Sequence, residues 1–195
     1  MAGPRILVAF YSAHGTNKGV AELAASAAKG EGAETRLRRF AETAPREAVE
    51  ADDAWAATME AVHDIPEIGK DDMEWAQGYF FAVPTHYGAP PGQMTAFTDT
   101  LGPLWKNRSM CDKTFTASTA AQMEHGGQEG TLRVLYAIAT HWGCILVPPG
   151  YADPVKFDDG GNPYGYSLNA GAEPDEESIR YQACRLVSVT ARLFA

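Results

Sequence analysis

Apolar and polar positions along the chain fall into two alternating rhythms: short unbroken apolar runs, and longer stretches with an apolar residue every three or four positions. Arg5-Ile-Leu-Val-Ala-Phe-Tyr11 is a run of the first kind, as expected of a parallel strand covered on both faces. Ser12–Asn17 is a loop of small and polar residues. A helix follows with Val20, Leu23, Ala24 and Ala27 on one face, stopping near Gly30 or Gly32. Glu34–Phe40, Gly78–Val83, Lys113–Thr119 and Cys144–Val147 read as four further strands. Between the third and fourth, Gln93–Leu101 predicts a helix with Met94, Phe97 and Leu101 aligned and Gly102-Pro103 as its stop. Between the fourth and fifth, Thr131–Trp142 predicts a helix carrying Leu132, Leu135, Ile138, Ala139 and Trp142 on one side, with Gly143 as its C-cap. The last helix starts near Pro174. Asp175, Glu176 and Glu177 in its first turn oppose the positive end of the helix dipole, and Ile179, Ala183, Leu186, Val187, Thr190 and Phe194 form its stripe.

Two stretches resist this reading. Ala41–Met73 is polar and alanine-rich, with one helix candidate over Ala48–Val62 and a break at Ile65-Pro66. Pro148–Ala172 is a long glycine- and proline-rich loop, and a loop of that length inside a compact domain is an insertion that shapes a site or an interface. Five strands interleaved with helices predict one α/β domain over residues 1–195, a doubly wound open parallel sheet with helices on both faces. Such sheets bind ligands outside the carboxyl ends of their strands, where every polar loop named below falls.

Composition narrows the chemistry. The net charge of −9 and the lack of any basic cluster argue against a nucleic-acid surface, whose affinity comes from clustered Lys and Arg. Cys111, Cys144 and Cys184 form no CxxC pair, which suits free thiols in a reducing, cytoplasmic compartment. The run Ile6–Tyr11 is too short for a membrane span or signal peptide. The five histidines show no metal-ligand spacing, so no metal site is expected, and no GxSxG elbow points to a hydrolase.

The loops carry the functional signal. Ser12-Ala13-His14-Gly15-Thr16-Asn17 places hydroxyls and a glycine at a helix N-terminus, where free amides and the dipole favour an anion. It has neither the lysine of a Walker loop nor a GxGxxG fingerprint, and a plain strand-to-helix turn is the alternative reading. Pro84-Thr85-His86-Tyr87-Gly88 offers polar groups for a ring edge and an aromatic for a flat face, or else a turn with an aromatic plug. Ala120-Ala121-Gln122-Met123-Glu124-His125-Gly126 is a glycine-tipped polar loop. Trp105 is either a core anchor or one wall over a planar ligand. His141 is either a dipole-stabilised surface cation or a donor to an anionic ring.

Taken in order, Tyr11–Asn17, Pro84–Gly88, Gly92-Gln-Met94, Leu104-Trp105, Gly126-Gly-Gln-Glu129, His141-Trp-Gly143, Pro148–Tyr151 and Asn162–Gly165 resemble the WrbA-type NAD(P)H:quinone oxidoreductases of the flavodoxin superfamily. The resemblance implies a flavodoxin-like five-stranded sheet in the order 2-1-3-4-5, FMN as cofactor, NADH or NADPH as electron donor and a quinone as acceptor, in two-electron ping-pong. It implies that Ser12–Asn17 hold the FMN phosphate, with His14 also near the nicotinamide nucleotide. It further implies that Thr85, His86 and Tyr87 edge the isoalloxazine, that Trp105 walls the substrate side, and that the Ala120 loop and His141 complete the flavin site. Chemistry then rests on FMN, with no catalytic side-chain dyad, in a homotetramer whose sites form where subunits meet. Two departures stand out: His14 replaces the usual Tyr, and Ala120–His125 replaces a Ser-Thr-Gly-rich loop. The competing readings are a flavodoxin-type electron carrier and a non-catalytic protein that keeps only the fold.

Overall fold

The computed structural model describes residues 3–195. At its centre lies a parallel sheet with the path β2-β1-β3-β4-β5, built from β1 (Arg5–Phe10), β2 (Glu34–Arg39), β3 (Gly78–Pro84), β4 (Thr114–Ala121) and β5 (Ile145–Leu146). β1, β3 and β4 are the interior strands, and all eight residues of β4 are buried. The side chains of β1 alternate between two cores. Leu7 and Ala9 join Tyr79, Phe81, Phe115, Leu132, Leu135 and Trp142 on one face. Ile6, Val8 and Phe10 join Phe80, Val20, Ala24, Ile179, Ala183 and Leu186 on the other. Helices α1 (Thr16–Gly30) and α9 (Glu176–Leu193) cover the second face, and α7 (Gln128–His141) covers part of the first. The doubly wound sheet and its strand order are as expected.

The unassigned stretch after β2 is helical, in three pieces: α2 (Arg46–Glu50), α3 (Asp53–Ala61) and α4 (Lys70–Trp75). The single helix expected over Ala48–Val62 is divided because the Asp52 side chain accepts from the amides of Ala54 and Trp55, which starts a new helix there. In α4, Asp72 accepts from the Gly69 amide and pairs with Arg36 and Arg38 of β2, fastening the segment to the sheet edge. At the other end of α4, the buried Lys113 ammonium donates to the carbonyls of Met73 and Glu74, and burial lowers its pKa to about 8.

Helix α7 starts at Gln128, three residues ahead of the expected Thr131, and three larger differences follow. Helix α5 (Gly92–Asp99) ends as expected, but Gly102-Pro103 then opens the short helix α6 (Gly102–Lys106), because proline suits a first helical turn. Phe194 is exposed rather than part of the α9 stripe. Most consequential, two strands share the fifth sheet position. β5 pairs with the start of β4 through Thr114↔Ile145, and β6 (Ser167–Asn169) pairs with its end through Thr119↔Ser167 and Ala121↔Asn169. The long loop therefore leaves the sheet edge and rejoins it. It carries the short helix α8 (Val155–Asp158) and a buried Lys156–Asp159 ion pair.

Candidate functional site

The loops that follow β1, β3 and β4 meet at the carboxyl edge of the sheet around a cleft of about 770 Å³. Gly15 turns the first loop into α1 with a left-handed φ of 86°, and a Cβ there would meet nothing within 4 Å. The N-terminus of α1 has no side-chain cap and no carboxylate in its first turn. Asn17 is buried with its Oδ1 unpartnered, and Thr16 Oγ1 accepts from the Gly171 amide. Free amides, an uncompensated dipole and unspent polar capacity fit the phosphate of an FMN. Ser12, Ala13, His14, Thr16 and Asn17 all line the cleft, with Gly15 as their hinge.

The second loop is set by β4. The Thr85 amide donates to the Ala120 carbonyl, and the Thr85 and Thr119 hydroxyls are 2.9 Å apart. His86 and Ala89 then exchange two backbone hydrogen bonds around Tyr87 (φ 52°) and Gly88 (φ 77°), a two-residue turn of the I′ kind. Tyr87 is a non-glycine residue in the left-handed region with its ring fully exposed at the cleft mouth, strain of the sort concentrated at binding sites. Gly88 rests against Gly127, the left-handed N-cap of α7, where an added Cβ would lie 2.8 Å from Gly88 Cα. Pro84, Thr85, His86 and Tyr87 line one side, and Ala120, Ala121, Gln122, Met123 and Gly126 the other.

Five wall residues were not anticipated from the sequence: Tyr11 as a site residue in its own right, Asp52, Trp55, Gln93 and Ala170. Glu42 links three of them, Tyr11, Trp55 and Gln93. Its Oε2 accepts from the Tyr11 hydroxyl (2.8 Å) and Trp55 Nε1 (3.1 Å), and its Oε1 from Gln93 Nε2 (2.6 Å) and the amides of Thr43 and Ala44. Burial pushes the Glu42 carboxyl up, but the hydrogen bonds from Ala44, Gln93, Tyr11 and Thr43 outweigh it and hold the group below its ordinary value. The Tyr11 hydroxyl is driven far above its ordinary value by burial first and then by Glu42. Across the mouth, His14 Nε2 lies 3.1 Å from Asp52 Oδ2, which ties the Ser12–Asn17 loop to the N-terminus of α3. No local signal joins positions 42, 52 and 55 to position 11. A Glu-Thr after a strand and an Asp-Asp before a helix hint only at turns and caps.

Two expected site residues do not reach this cleft. Trp105 sits on α6 and His141 at the end of α7, both at the amino edge of the sheet, where the Trp105 indole donates to the His141 carbonyl (3.0 Å). Trp105 is 60% exposed, so it is not a core anchor either. The helices that begin at the cleft run away from it, and their last turns lie at the opposite edge. Among the described residues no group of three His, Cys, Asp or Glu is placed to hold a metal ion, and no helix is long and apolar enough to cross a membrane.

Comparison with known proteins agrees with this geometry. Residues 5–155 match the family described as NADPH-dependent FMN reductase. An NAD(P)H dehydrogenase (quinone) of Deinococcus radiodurans is 47% identical over 193 residues, covering 97% of this chain and 96% of that protein. One from Geotalea uraniireducens is 33% identical, covering 97% and 98%. A WrbA-like flavodoxin structure from Agrobacterium tumefaciens superposes with a TM-score of 0.69 at 20% identity, over 97% of this chain and 98% of that one, and shares the fold. A flavodoxin-like sheet with an uncapped helix N-terminus at its carboxyl edge and full-length likeness to these enzymes lead to one conclusion: the chain belongs to the NADPH-dependent FMN reductase family, together with the NAD(P)H dehydrogenases (quinone).

Proposed function

We propose that this chain is an FMN-dependent oxidoreductase that moves electrons from NADH or NADPH to a quinone, with the flavin phosphate on the Ser12–Asn17 loop. The observation that carries the site is the N-terminus of α1, uncapped, free of carboxylates and entered through a left-handed glycine beside the unpartnered Asn17. FMN, when bound, supplies the redox centre that takes a hydride from the donor and returns two electrons to the quinone. The protein's part is to bind, orient and screen. The amides of α1 hold the phosphate, the Thr85–Gly88 and Ala120–Gly126 loops grip the ring system, and Tyr87 covers the mouth. A single open cleft serving both substrates in turn favours ping-pong turnover. Mass spectrometry of the cofactor released from the purified protein tests this, together with NADH consumption on addition of benzoquinone. Finding FAD, or a colourless protein inert towards NADH, would reject it.

Assembly is part of the same proposal. Trp105 and His141 serve a flavin only if a second copy brings its amino edge to the cleft, which is the arrangement we propose for a homotetramer. Supporting it, Trp105 stands exposed, and Tyr151 stacks on Phe157 at 5.6 Å with both rings largely open to water in the long insertion. Tyr166 of the same insertion adds nothing to that surface: it is buried, its hydroxyl accepting from the Asp175 amide. Free cysteines suit a cytoplasmic location. Light scattering that returns the monomer mass at micromolar concentration would reject the shared site.

A further inference from the structure

A glutamine side chain can ordinarily turn its terminal amide to show either oxygen or NH2, and which one it shows decides what it can bind. Gln93, at the start of α5, has lost that freedom. Its Nε2 lies 2.6 Å from Glu42 Oε1 and 3.1 Å from the Tyr11 hydroxyl. The Glu42 carboxylate can only accept. The Tyr11 proton is already committed to Glu42 Oε2 at 2.8 Å, so towards Gln93 the hydroxyl offers a lone pair. Both neighbours are therefore acceptors, and turning the amide over would set its oxygen against two other oxygens with no proton between them. The ring of donors around Glu42, completed by Trp55 Nε1 and the amides of Thr43 and Ala44, keeps it ionised.

That arrangement spends both Gln93 N–H groups and leaves Oε1 without a donor from any described residue. Gln93 is only 9% exposed, yet its Oε1 is not among the unpartnered polar atoms sealed from water, and the residue lines the cleft. We propose that Gln93 is a specificity-determining residue: it presents Oε1 to the cleft as a fixed hydrogen-bond acceptor that selects a neutral N–H or O–H donor on the bound ligand, with Tyr11 and Glu42 as the positioning residues that lock it. The inference rests on the cleft being the flavin and nicotinamide site. Two ligands there offer such a donor, the flavin (its imide N–H or a ribityl hydroxyl) and the nicotinamide carboxamide. A quinone carries only acceptors, so Gln93 does not select it.

The test uses the full chain, with Gln93→Met, which keeps length and removes the acceptor, and Glu42→Gln, which leaves Gln93 in place and frees its amide to turn. FMN affinity is read by fluorescence quenching on the apoprotein. Donor choice is read as the ratio of kcat/KM for NADH to that for its reduced acetylpyridine analogue, whose acetyl group lacks the N–H. If flavin supplies the donor, both variants weaken FMN binding by about fivefold or more. If the carboxamide supplies it, FMN affinity holds and the NADH preference falls by a similar factor in both. Folded variants in which neither quantity moves overturn the proposal. A third readout needs no ligand: the Gln93 side-chain NH2 gives a protected, shifted pair in a proton–nitrogen correlation spectrum, and Glu42→Gln returns it to free-glutamine behaviour. Free-glutamine behaviour in the wild type overturns the lock. A locked amide in a wild type that binds no flavin and oxidises no NADH would reject the function and the ligand selection, and would leave the lock standing.

Discussion

Gly127→Ala separates two costs that the structure superimposes at one residue. Gly127 has φ 95°, where a side chain strains the backbone, and its Cβ would lie 2.8 Å from Gly88 Cα and 3.5 Å from Gly88 N. The conformational part is about 1–2 kcal/mol for a left-handed residue with a Cβ. The steric part falls on backbone that cannot swing aside like a side-chain tip, and overpacking of that kind costs about 1–3 kcal/mol. Their sum, about 2–5 kcal/mol, corresponds to a melting temperature lower by roughly 4–20 °C for a chain of this size. Gly15→Ala isolates the first part, since φ is 86° but nothing lies within 4 Å, and Gly92→Ala carries neither. Thermal melts of the three apoproteins followed by circular dichroism should rank Gly127→Ala below Gly15→Ala below Gly92→Ala, the last close to wild type. Because relief comes by pushing the Tyr87-Gly88 turn off α7, Gly127→Ala should also loosen FMN. Coincident melts for the Gly127 and Gly15 variants would refute the reasoning, showing that the Gly88 contact yields at no cost.

Gly15→Val should leave a folded but colourless protein, because a β-branched residue opposes the left-handed turn of the loop proposed to hold the FMN phosphate; visible absorbance after purification checks it. Trp105→Ala should keep the fold, since the ring is 60% exposed, while raising the apparent KM for quinone, as steady-state kinetics will show. Lys156→Met should cost about 3–5 kcal/mol in urea unfolding by stranding the buried Asp159 carboxylate, and Asp159→Leu added to it should recover much of the loss. Burial raises the Asp72 carboxyl, but the Gly69 amide, Arg38 and Arg36 outweigh it and hold the group below 3.8. Its stabilising effect is then complete above the ordinary carboxylate value and is lost as pH falls through the folded one, because the unfolded chain takes up the proton first. The stability gap between wild type and Asp72→Asn, measured by denaturant titration, should narrow below pH about 4.

The strands, most of the helices and the three cleft loops were legible in the sequence because they depend on near neighbours. Unbroken apolar runs such as Ile6–Tyr11 and Gly78–Val83 can be satisfied only when both faces are covered, and a small-residue loop ahead of a helical stripe already implies free amides at its start. What needed the fold were features made by residues remote in sequence. The split of the fifth strand depends on β4 having enough unpaired edge left beyond Leu146 to recapture Ser167–Asn169. The Ala41–Met73 stretch showed no clear period because it is three helices of nine residues or fewer, too short for a repeating apolar stripe, with boundaries set in part by local polar contacts such as those of Asp52 and Asp72. Trp105 and His141 belong to the motif order of the chain, yet helices that start at the cleft end at the far edge, so within the chain the two residues meet each other and not the cleft. The Tyr11–Glu42–Gln93 lock spans 82 residues, and its hydrogen bonds become possible only when β1, the loop after β2 and the first turn of α5 converge. Local pattern determines which segments seek burial and which stay polar; only the packed sheet decides which polar groups then find each other, because a hydrogen bond depends on angstroms of separation in space and not on distance along the chain.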